Sequence, residues 1–392
     1  MFRVYIESCK SYDDTDVMRA VSSIFAGMGG MSRFIRPGMK VVLKPNMILA
    51  KKPEEAATTH PEVVAAVASL VREAGGTPII AESSFGQYSR GSLERHYANC
   101  GYKKLAEDGL VELNTDLSTS EVRLENGLKL NRINILTPLR DADLVISISK
   151  LKTHALMTYT GAVKNLFGAV AGLQKGSFHM RFPDSRTFAD ALIDICLAVG
   201  PGLHVMDAVT AMEGDGPSGG DPRDIGFIGA STDPYALDLA AASVITDKPQ
   251  NLPTISRAIA RGLGPCAGEV IEFPLRSPDS YFIPDFKFPK FNDNRAVSRL
   301  RNSTLLKPFP SFERKICIGC GECSRNCPAS ALKMVDRRPQ LDISKCIRCF
   351  CCHEGCMYKA VRIKRSRFAG MLEAGLSAMS QVSTELFRRR RK

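Results

Sequence analysis

The sequence predicts an α/β fold, a mainly parallel sheet with helices on both faces, joined to a small α+β module near the C-terminal end. Two observations predict it. Short apolar runs alternate with segments of helical spacing over residues 1–275, the pattern of strands linked by covering helices. Beyond a connector, two cysteine runs of one spacing fall within residues 317–356 and predict a module of two pseudo-equivalent halves. The expected layout is an α/β domain over 1–275, a connector over 276–311, the cysteine module over 312–364 and a tail over 365–392.

The elements follow in order. Arg3–Glu7 predicts a strand, Asp16–Phe25 a helix and Met39–Leu43 a buried strand. His60-Pro61 opens a helix over Glu62–Ala74, because proline suits a first helical turn and Gly75-Gly76 ends it. Thr77–Ala81 predicts a strand and Ser92–Asn99 a helix. Val122–Leu130 predicts a hairpin with a type I′ turn at Asn126-Gly127. Leu144–Ile148, Leu203–Met206 and Ile225–Gly229 predict further strands, and Thr187–Val199 and Pro234–Ile245 further helices. The stretch from Phe273 to Phe312 is rich in Pro, Phe, Asp and Asn without periodicity, and predicts a surface connector.

The cysteines carry the clearest chemistry. Cys317, Cys320, Cys323 and Cys327 are spaced C-x2-C-x2-C-x3-C, and Cys346, Cys349, Cys352 and Cys356 repeat that spacing. Two such runs predict two [4Fe-4S] clusters in a ferredoxin-like module. Three cysteines of a run wrap three corners of one cubane, and the fourth reaches the other cluster. One set is then Cys317, Cys320, Cys323 and Cys356; the other is Cys346, Cys349, Cys352 and Cys327. Zinc favours separated cysteine pairs, and disulfides favour secreted chains. Gly319 and Gly321 ease the loop, Cys351 is a spare thiol, and Met357 replaces the proline expected after the second run. Ile316, Ile318, Leu332, Ile343, Ile347 and Val361 are the expected apolar packing around the cubes.

The chain is 44% hydrophobic and 24% charged, in the range of an ordinary globular protein. It carries neither signal-peptide character nor an apolar run long enough to span a bilayer, so a cytoplasmic location is expected. A net charge of +12 points to an anionic partner. The expected partners are a redox protein and an anionic small molecule, with peripheral membrane contact through the basic tail Arg388–Lys392. Nucleic acid is not among them, because no aromatic-interleaved basic platform accompanies the charge.

Four polar segments each follow a predicted strand, where open α/β sheets bind ligands. They are Lys44-Pro45-Asn46, Glu82-Ser83-Ser84, Lys150 to His154, and Asp207 with the loop Met212 to Pro217. Lys44, Lys150, Lys152 and Lys164 supply cations. His154 and His179 titrate near neutrality in their ordinary state. Thr160-Gly161 precedes a predicted helix whose backbone amides could face an anion. Asn46 and Asn165 can orient a carbonyl or amide.

These residues also carry a family resemblance. V-L-K-P-N at Val42–Asn46, S-K-L-K-T-H at Ser149–His154, T-G-A-V-K-N-L-F-G at Thr160–Gly168 and M-E-G-D-G-P at Met212–Pro217 resemble the family named domain of unknown function 362. His179 stands at that family's spacing, and fusion to a two-cluster ferredoxin is a common arrangement in it. The resemblance spans about residues 2–250 and implies a fold and a site without a reaction. The expectation is a redox enzyme that reduces an anionic substrate, with His154 as proton donor and Lys152 and Lys164 holding charge. The alternative is a non-catalytic electron carrier docking on a partner enzyme. No residue pattern marks an additional organic cofactor.

Overall fold

The computed structural model describes residues 1–266, 269–289 and 308–364. The expected basic tail lies outside these residues. An eight-stranded sheet organises the first domain. Its strands are β1 (Tyr5–Ser8), β2 (Lys40–Pro45), β3 (Thr77–Ile80), β4 (Glu112–Leu113), β5 (Leu144–His154), β6 (Thr158–Thr160), β7 (Leu203–Glu213) and β8 (Asp221–Ser231). The order across the sheet is β1-β8-β7-β5-β2-β3-β4, with β6 beside β5. The run from β7 to β4 is parallel, while β8 and β6 pair antiparallel to their neighbours.

The alternation along each strand assigns its two faces. Val41, Leu43, Ile146 and Ile148 enter one apolar cluster, under the helices Asp14–Gly27 (α1) and Pro61–Glu73 (α2). Val42 and Val145 enter the cluster on the other side, under Ser185–Val199 (α3). Successive side chains on a strand point to opposite faces, so a continuous apolar run serves a sheet covered twice. Pro61 occupies the first turn of α2, and the Asp184 side chain caps α3 through the Arg186 and Thr187 amides.

The structure corrects several expectations. Strands β5 and β7 run six and seven residues beyond the predicted Ile148 and Met206 ends, because their polar ends are buried and remain on the ladder. The hairpin pairs Thr119–Arg123 with Arg132–Leu136, so its connection is longer than a two-residue type I′ turn. Asp194 accepts the amides of Leu128, Lys129 and Leu130 and holds that loop. Tyr102–Glu107, Gln174–Arg181 (α4) and Pro253–Ala260 are helices without a sequence prediction. Phe286 packs with Phe227 and α-helical residues of the first domain, which ties the described part of the connector to that domain.

The C-terminal module closes by pairing Phe309–Phe312 with Val361–Lys364, around a hairpin of Leu332–Val335 and Arg338–Leu341. Its pseudo-symmetry reaches the backbone. Gly319 and Gly321 have φ of 74° and 79°, and the equivalent Arg348 and Phe350 have 59° and 64°. Ala331 donates to Cys327 Sγ and Ala360 to Cys356 Sγ, both at 3.3 Å. Two side-chain-bearing residues accept a left-handed conformation that costs each about 1 kcal/mol, which a loop curling around a cluster requires. Leu332 and Val361 are buried and Ile318, though half exposed, lines the cysteine cage, whereas Ile316 and Ile343 are exposed and do not line it.

The module docks on the first domain. Lys51 Nζ donates to Met357 O at 2.9 Å, Ser218 Oγ to Glu354 O at 2.7 Å, and Lys359 Nζ to Gly220 O at 3.1 Å. Gly355 sits so close to the Phe85 ring that a Cβ there would lie 2.5 Å from it. The short helix Cys351–Glu354 (α5) is thereby buried at the seam. No helix among the described residues is long and apolar enough to cross a membrane.

Candidate functional site

At the carboxyl ends of β2, β3 and β5 lies a cavity of about 60 Å³. Lys44, at the end of β2, is fully buried and donates to Glu82 Oε2, to Pro45 O and to Asn165 Oδ1. Burial pushes the Lys44 ammonium down and the Glu82 carboxyl up, and each opposes the shift of the other. Asn165 also donates to Lys44 O and Ser147 Oγ, which fixes its amide and turns Oδ1 toward Asn46 Nδ2 at 3.3 Å.

Lys152 points from β5 into the cavity. Its Nζ donates to Asn46 Oδ1 and Ala57 O, both at 2.6 Å, and is in no ion pair among the described residues. Burial, then the Lys164 charge, holds its pKa well below the ordinary lysine value. Lys164 lines the same cavity with Nζ 5.6 Å from the centre of the Phe167 ring, and is in no ion pair among the described residues. Lys175, on α4, donates to the Ser83 and Ser84 carbonyls. Burial brings its pKa down to about 7. Three lysines from three elements thus face one small space, none in an ion pair among the described residues, and Glu82 and Glu354 line the same space.

The fourth wall comes from the other domain. Glu354, on α5, lines the cavity and puts Oε1 3.1 Å from His154 Nε2, within ion-pair range but outside hydrogen-bond alignment. His154 Nδ1 accepts two amides, from Leu156 at 3.0 Å and Met157 at 3.2 Å. The ring therefore keeps its single proton at Nε2, facing the carboxylate. Burial lowers its pKa to about 4, so it is neutral at pH 7. Burial pushes the Glu354 carboxyl up, but His154, Lys164 and His179 outweigh it and hold it well below the usual carboxylate range. With the His154 ring neutral, Lys164 is the cation that keeps it ionised. His179 stacks on Phe188 at 4.6 Å, leaves Nδ1 unpartnered, and is likewise pushed by burial to about 4. Thr160 lines the cavity with Oγ1 unpartnered.

Three expectations are corrected here. His154 is a buried ring with Nδ1 held by two backbone amides and its pKa lowered to about 4 by burial, so it is not poised near neutrality as expected. Lys150 does not join the cavity: it pairs with Asp207 at 2.9 Å and Tyr12 Oη at 2.6 Å in a separate buried cluster. The amides after Gly161 are not open to a ligand, because Asp238 accepts from Ala162 and Val163 at 2.6 and 3.1 Å. The cavity gathers Lys44 beside Lys152, Lys164, Asn46, Asn165, Thr160 and His179. Sequence reasoning missed Lys175 and Glu354. The signal for Glu354 was a break in the repeat, since the equivalent position of the first run is Arg325.

The cysteine module has its own cage. Cys317, Cys320, Cys323 and Cys356 ring a cavity of about 30 Å³ walled by Phe312, Ile318, Met334, Tyr358 and Val361. Among the described residues no three Cys, His, Asp or Glu side chains converge tightly enough for a lone metal ion; these thiols surround a space instead. Burial and three neighbouring thiols push Cys323 up to about 11. In the second set, burial and then Cys349, Cys346, Cys323 and Cys327 push Cys352 well above the ordinary thiol value. Crowded thiols of this kind fit a multi-iron centre, whose positive irons favour the thiolate. All thirteen cysteines are free of disulfides.

Comparison with known proteins agrees with this geometry. Residues 309–357 match the model of a 4Fe-4S dicluster domain. One component of an ion-translocating oxidoreductase complex of Methanosarcina acetivorans is 35% identical over 48 residues, 12% of this chain and 18% of that component. The lactate racemase apoprotein from Thermoanaerobacterium thermosaccharolyticum aligns with a TM-score of 0.39 at 15% identity, over 59% of this chain and 55% of its own. The chain thus spans about half the length of the solved structures it matches. A thylakoid-associated protein of Synechocystis sp. is 36% identical over 285 residues, 72% of this chain and 86% of the relative. Residues 41–243 match the model of the domain of unknown function DUF362. With half the chain inside that model and a relative of this identity matched over most of its length, the protein is a member of the DUF362 family that carries an iron-sulfur electron-transfer module.

Proposed function

We propose that the protein is a redox enzyme in which two [4Fe-4S] clusters serve a small anion bound in the α/β cavity. Cys317, Cys320, Cys323 and Cys356 hold one cluster, and Cys346, Cys349, Cys352 and Cys327 the other. The clusters supply single electrons. The observation that carries the reading is the trio Lys152, Lys164 and Lys175, buried around one cavity with no ion pair among the described residues, while Glu354 of the second cysteine run faces Lys164 from the cavity wall. Burial pushes such lysines toward the neutral amine, and a bound anion is what would hold them protonated.

Each residue then has a role. Lys152 and Lys164 hold the anion. Lys44 is neutralised by Glu82 and, with Asn165 and Asn46, fixes the orientation of Lys152. Lys175 is the proton donor in place of His154, because its pKa lies where both protonation states are accessible. His154 keeps Glu354 in place. The narrow cavity of about 60 Å³ suits a short carboxylate better than a nucleotide or flavin.

The test is anaerobic purification with iron and sulfide quantified, followed by thermal-shift screening of short mono- and dicarboxylates and inorganic phosphate. About eight irons per chain, as two cubanes need, plus a shift abolished in Lys152→Met supports the reading. Eight irons with no response to any anion supports the electron-carrier alternative. Zinc in place of iron sinks both.

A further inference from the structure

The two cysteine runs share a spacing but face different surroundings. The second run leads into α5, where Cys351 to Gly355 are buried against the first domain. The first run faces away. Cys320 is exposed, and Ile318 and Tyr358, two walls of its cage, are 48% and 49% exposed. Ile316 and Val335 beside them are 42% and 41% exposed. Apolar side chains gathered at the surface over a cage wall mark an interaction site more than a solvated face.

Charge surrounds this patch. Arg325 donates to Cys320 O at 2.9 Å and Arg337 to Ile318 O at 3.3 Å. Arg338 donates to the Cys317 and Arg314 carbonyls. Arg314 and Lys315 stand exposed three and two residues before Cys317. Glu322 offsets Arg325 by pairing with it at 2.6 Å, and Glu313 and the exposed Asp336 stand beside Arg314 and Arg337 in the chain, but Arg314, Lys315, Arg337 and Arg338 are in no ion pair among the described residues and leave the rim net cationic. An apolar centre with an unpaired cationic rim is complementary to one class of macromolecule, a protein with an acidic rim around an apolar redox edge.

We infer that an acidic single-electron carrier protein docks over the Cys317–Cys320 loop, so that the exposed half of the module receives electrons and the half buried against the cavity delivers them. One electron leaves the reduced carrier and one arrives at this chain, with no bond made or broken and no proton moved. Access orders the two halves along the route: a partner reaches the first run from solvent, while α5 occupies the approach to the second. The inference rests on the cysteines holding clusters and not on the identity of the anion.

The test uses the full chain, purified anaerobically, and reads binding as well as rate. The probe is a purified acidic ferredoxin, with basic cytochrome c as the opposite-charge control. Its affinity is measured by calorimetry at several salt concentrations, and cluster reduction by stopped flow. The triple variant Arg314→Glu, Lys315→Glu, Arg337→Glu is expected to weaken binding and slow reduction at low salt by about tenfold or more. The control variant Lys103→Glu, Arg123→Glu, Arg132→Glu changes net charge equally on the exposed surface of the first domain, and is expected to leave both within about twofold of the parent. Ile318→Asn supplies a milder disruption if the triple variant loses iron, and is expected to weaken binding without changing the salt slope. Iron content of each sample separates loss of docking from loss of clusters. Equal weakening by the control variant overturns the inference, because net charge alone then explains it. Tight binding that ignores all three patch charges and Ile318 overturns it too, as does equal affinity for the basic probe.

Discussion

Two buried polar clusters sit at neighbouring strand ends of the same sheet, and their difference separates structure from function. Around Asp207, every strong group has a partner: Lys150 at 2.9 Å, Tyr12 Oη at 2.8 Å and the His60 amide at 2.9 Å. Tyr12 stacks on His60 at 3.7 Å and closes the cluster from outside. Two residues along β5, Lys152 enters the neighbouring cavity and finds only a carbonyl and an amide oxygen. Both lysines are buried, and both follow a strand core of valine and isoleucine. A satisfied charge stabilises a fold by having its partner; an unsatisfied one persists where something else must bind.

This contrast can be broken most directly at Lys150. Lys150→Met strands the Asp207 carboxylate in the core, and unpairing a buried ion pair costs roughly 3–5 kcal/mol. Chemical denaturation should show that loss, with the response to anions retained in the protein that remains folded. Lys152→Met should do the opposite. It removes a desolvated cation without stranding a carboxylate, so stability should change by no more than about 1 kcal/mol, while anion affinity falls about tenfold to a hundredfold. Comparable destabilisation by the two variants would erase the distinction.

Glu354→Gln sharpens the comparison at the domain seam. The amide keeps the shape but removes the charge facing Lys164 and His154. Faster hydrogen exchange in α5 is expected, at a cost of about 1–3 kcal/mol, with the far side of the module unchanged. Exchange that stays at parental rates would show that the backbone contacts of Ser218 and Lys51 hold the seam alone.

A last test of the contrast is the pH signature of Lys175. Its pKa is brought from 10.5 to about 7 by burial. Between those values the unfolded chain holds a proton that the folded chain lacks, so stability rises with pH in that window. The contribution is complete above 10.5 and is lost as pH falls through about 7. Urea midpoints across this range should rise more steeply in the parent than in Lys175→Met. Parallel curves would place the Lys175 titration outside the window.

Much of the cavity was legible as polar residues after apolar strand runs, since a parallel sheet covered on both faces leaves only its strand ends for ligands. Lys44, Asn46 and Lys152 belong to that pattern, and Lys164, Asn165 and Thr160 to the segment after it. Lys150 fits the same pattern and belongs elsewhere, because β5 continues as a strand through His154 and the neighbouring Asp207 captures its ammonium. The Gly161 amides were misread because Asp238, 76 residues from Ala162, caps them. His154 was read by its ordinary pKa, which burial and two backbone donors abolish.

By itself the sequence determined the α/β fold, through strand-length apolar runs and caps that act within a few residues, and the cysteine spacing, because ligand reach around a cubane is a local property of the chain. Tertiary structure alone decided which lysine is paired and which is free, which half of a symmetric module meets solvent, and that Glu354 closes a cavity built by residues near positions 44, 82, 152 and 175. Those outcomes depend on burial and on charges brought together across long separations in the chain. Coulomb energy and desolvation are set by distance in space, and spacing along the chain does not encode that distance.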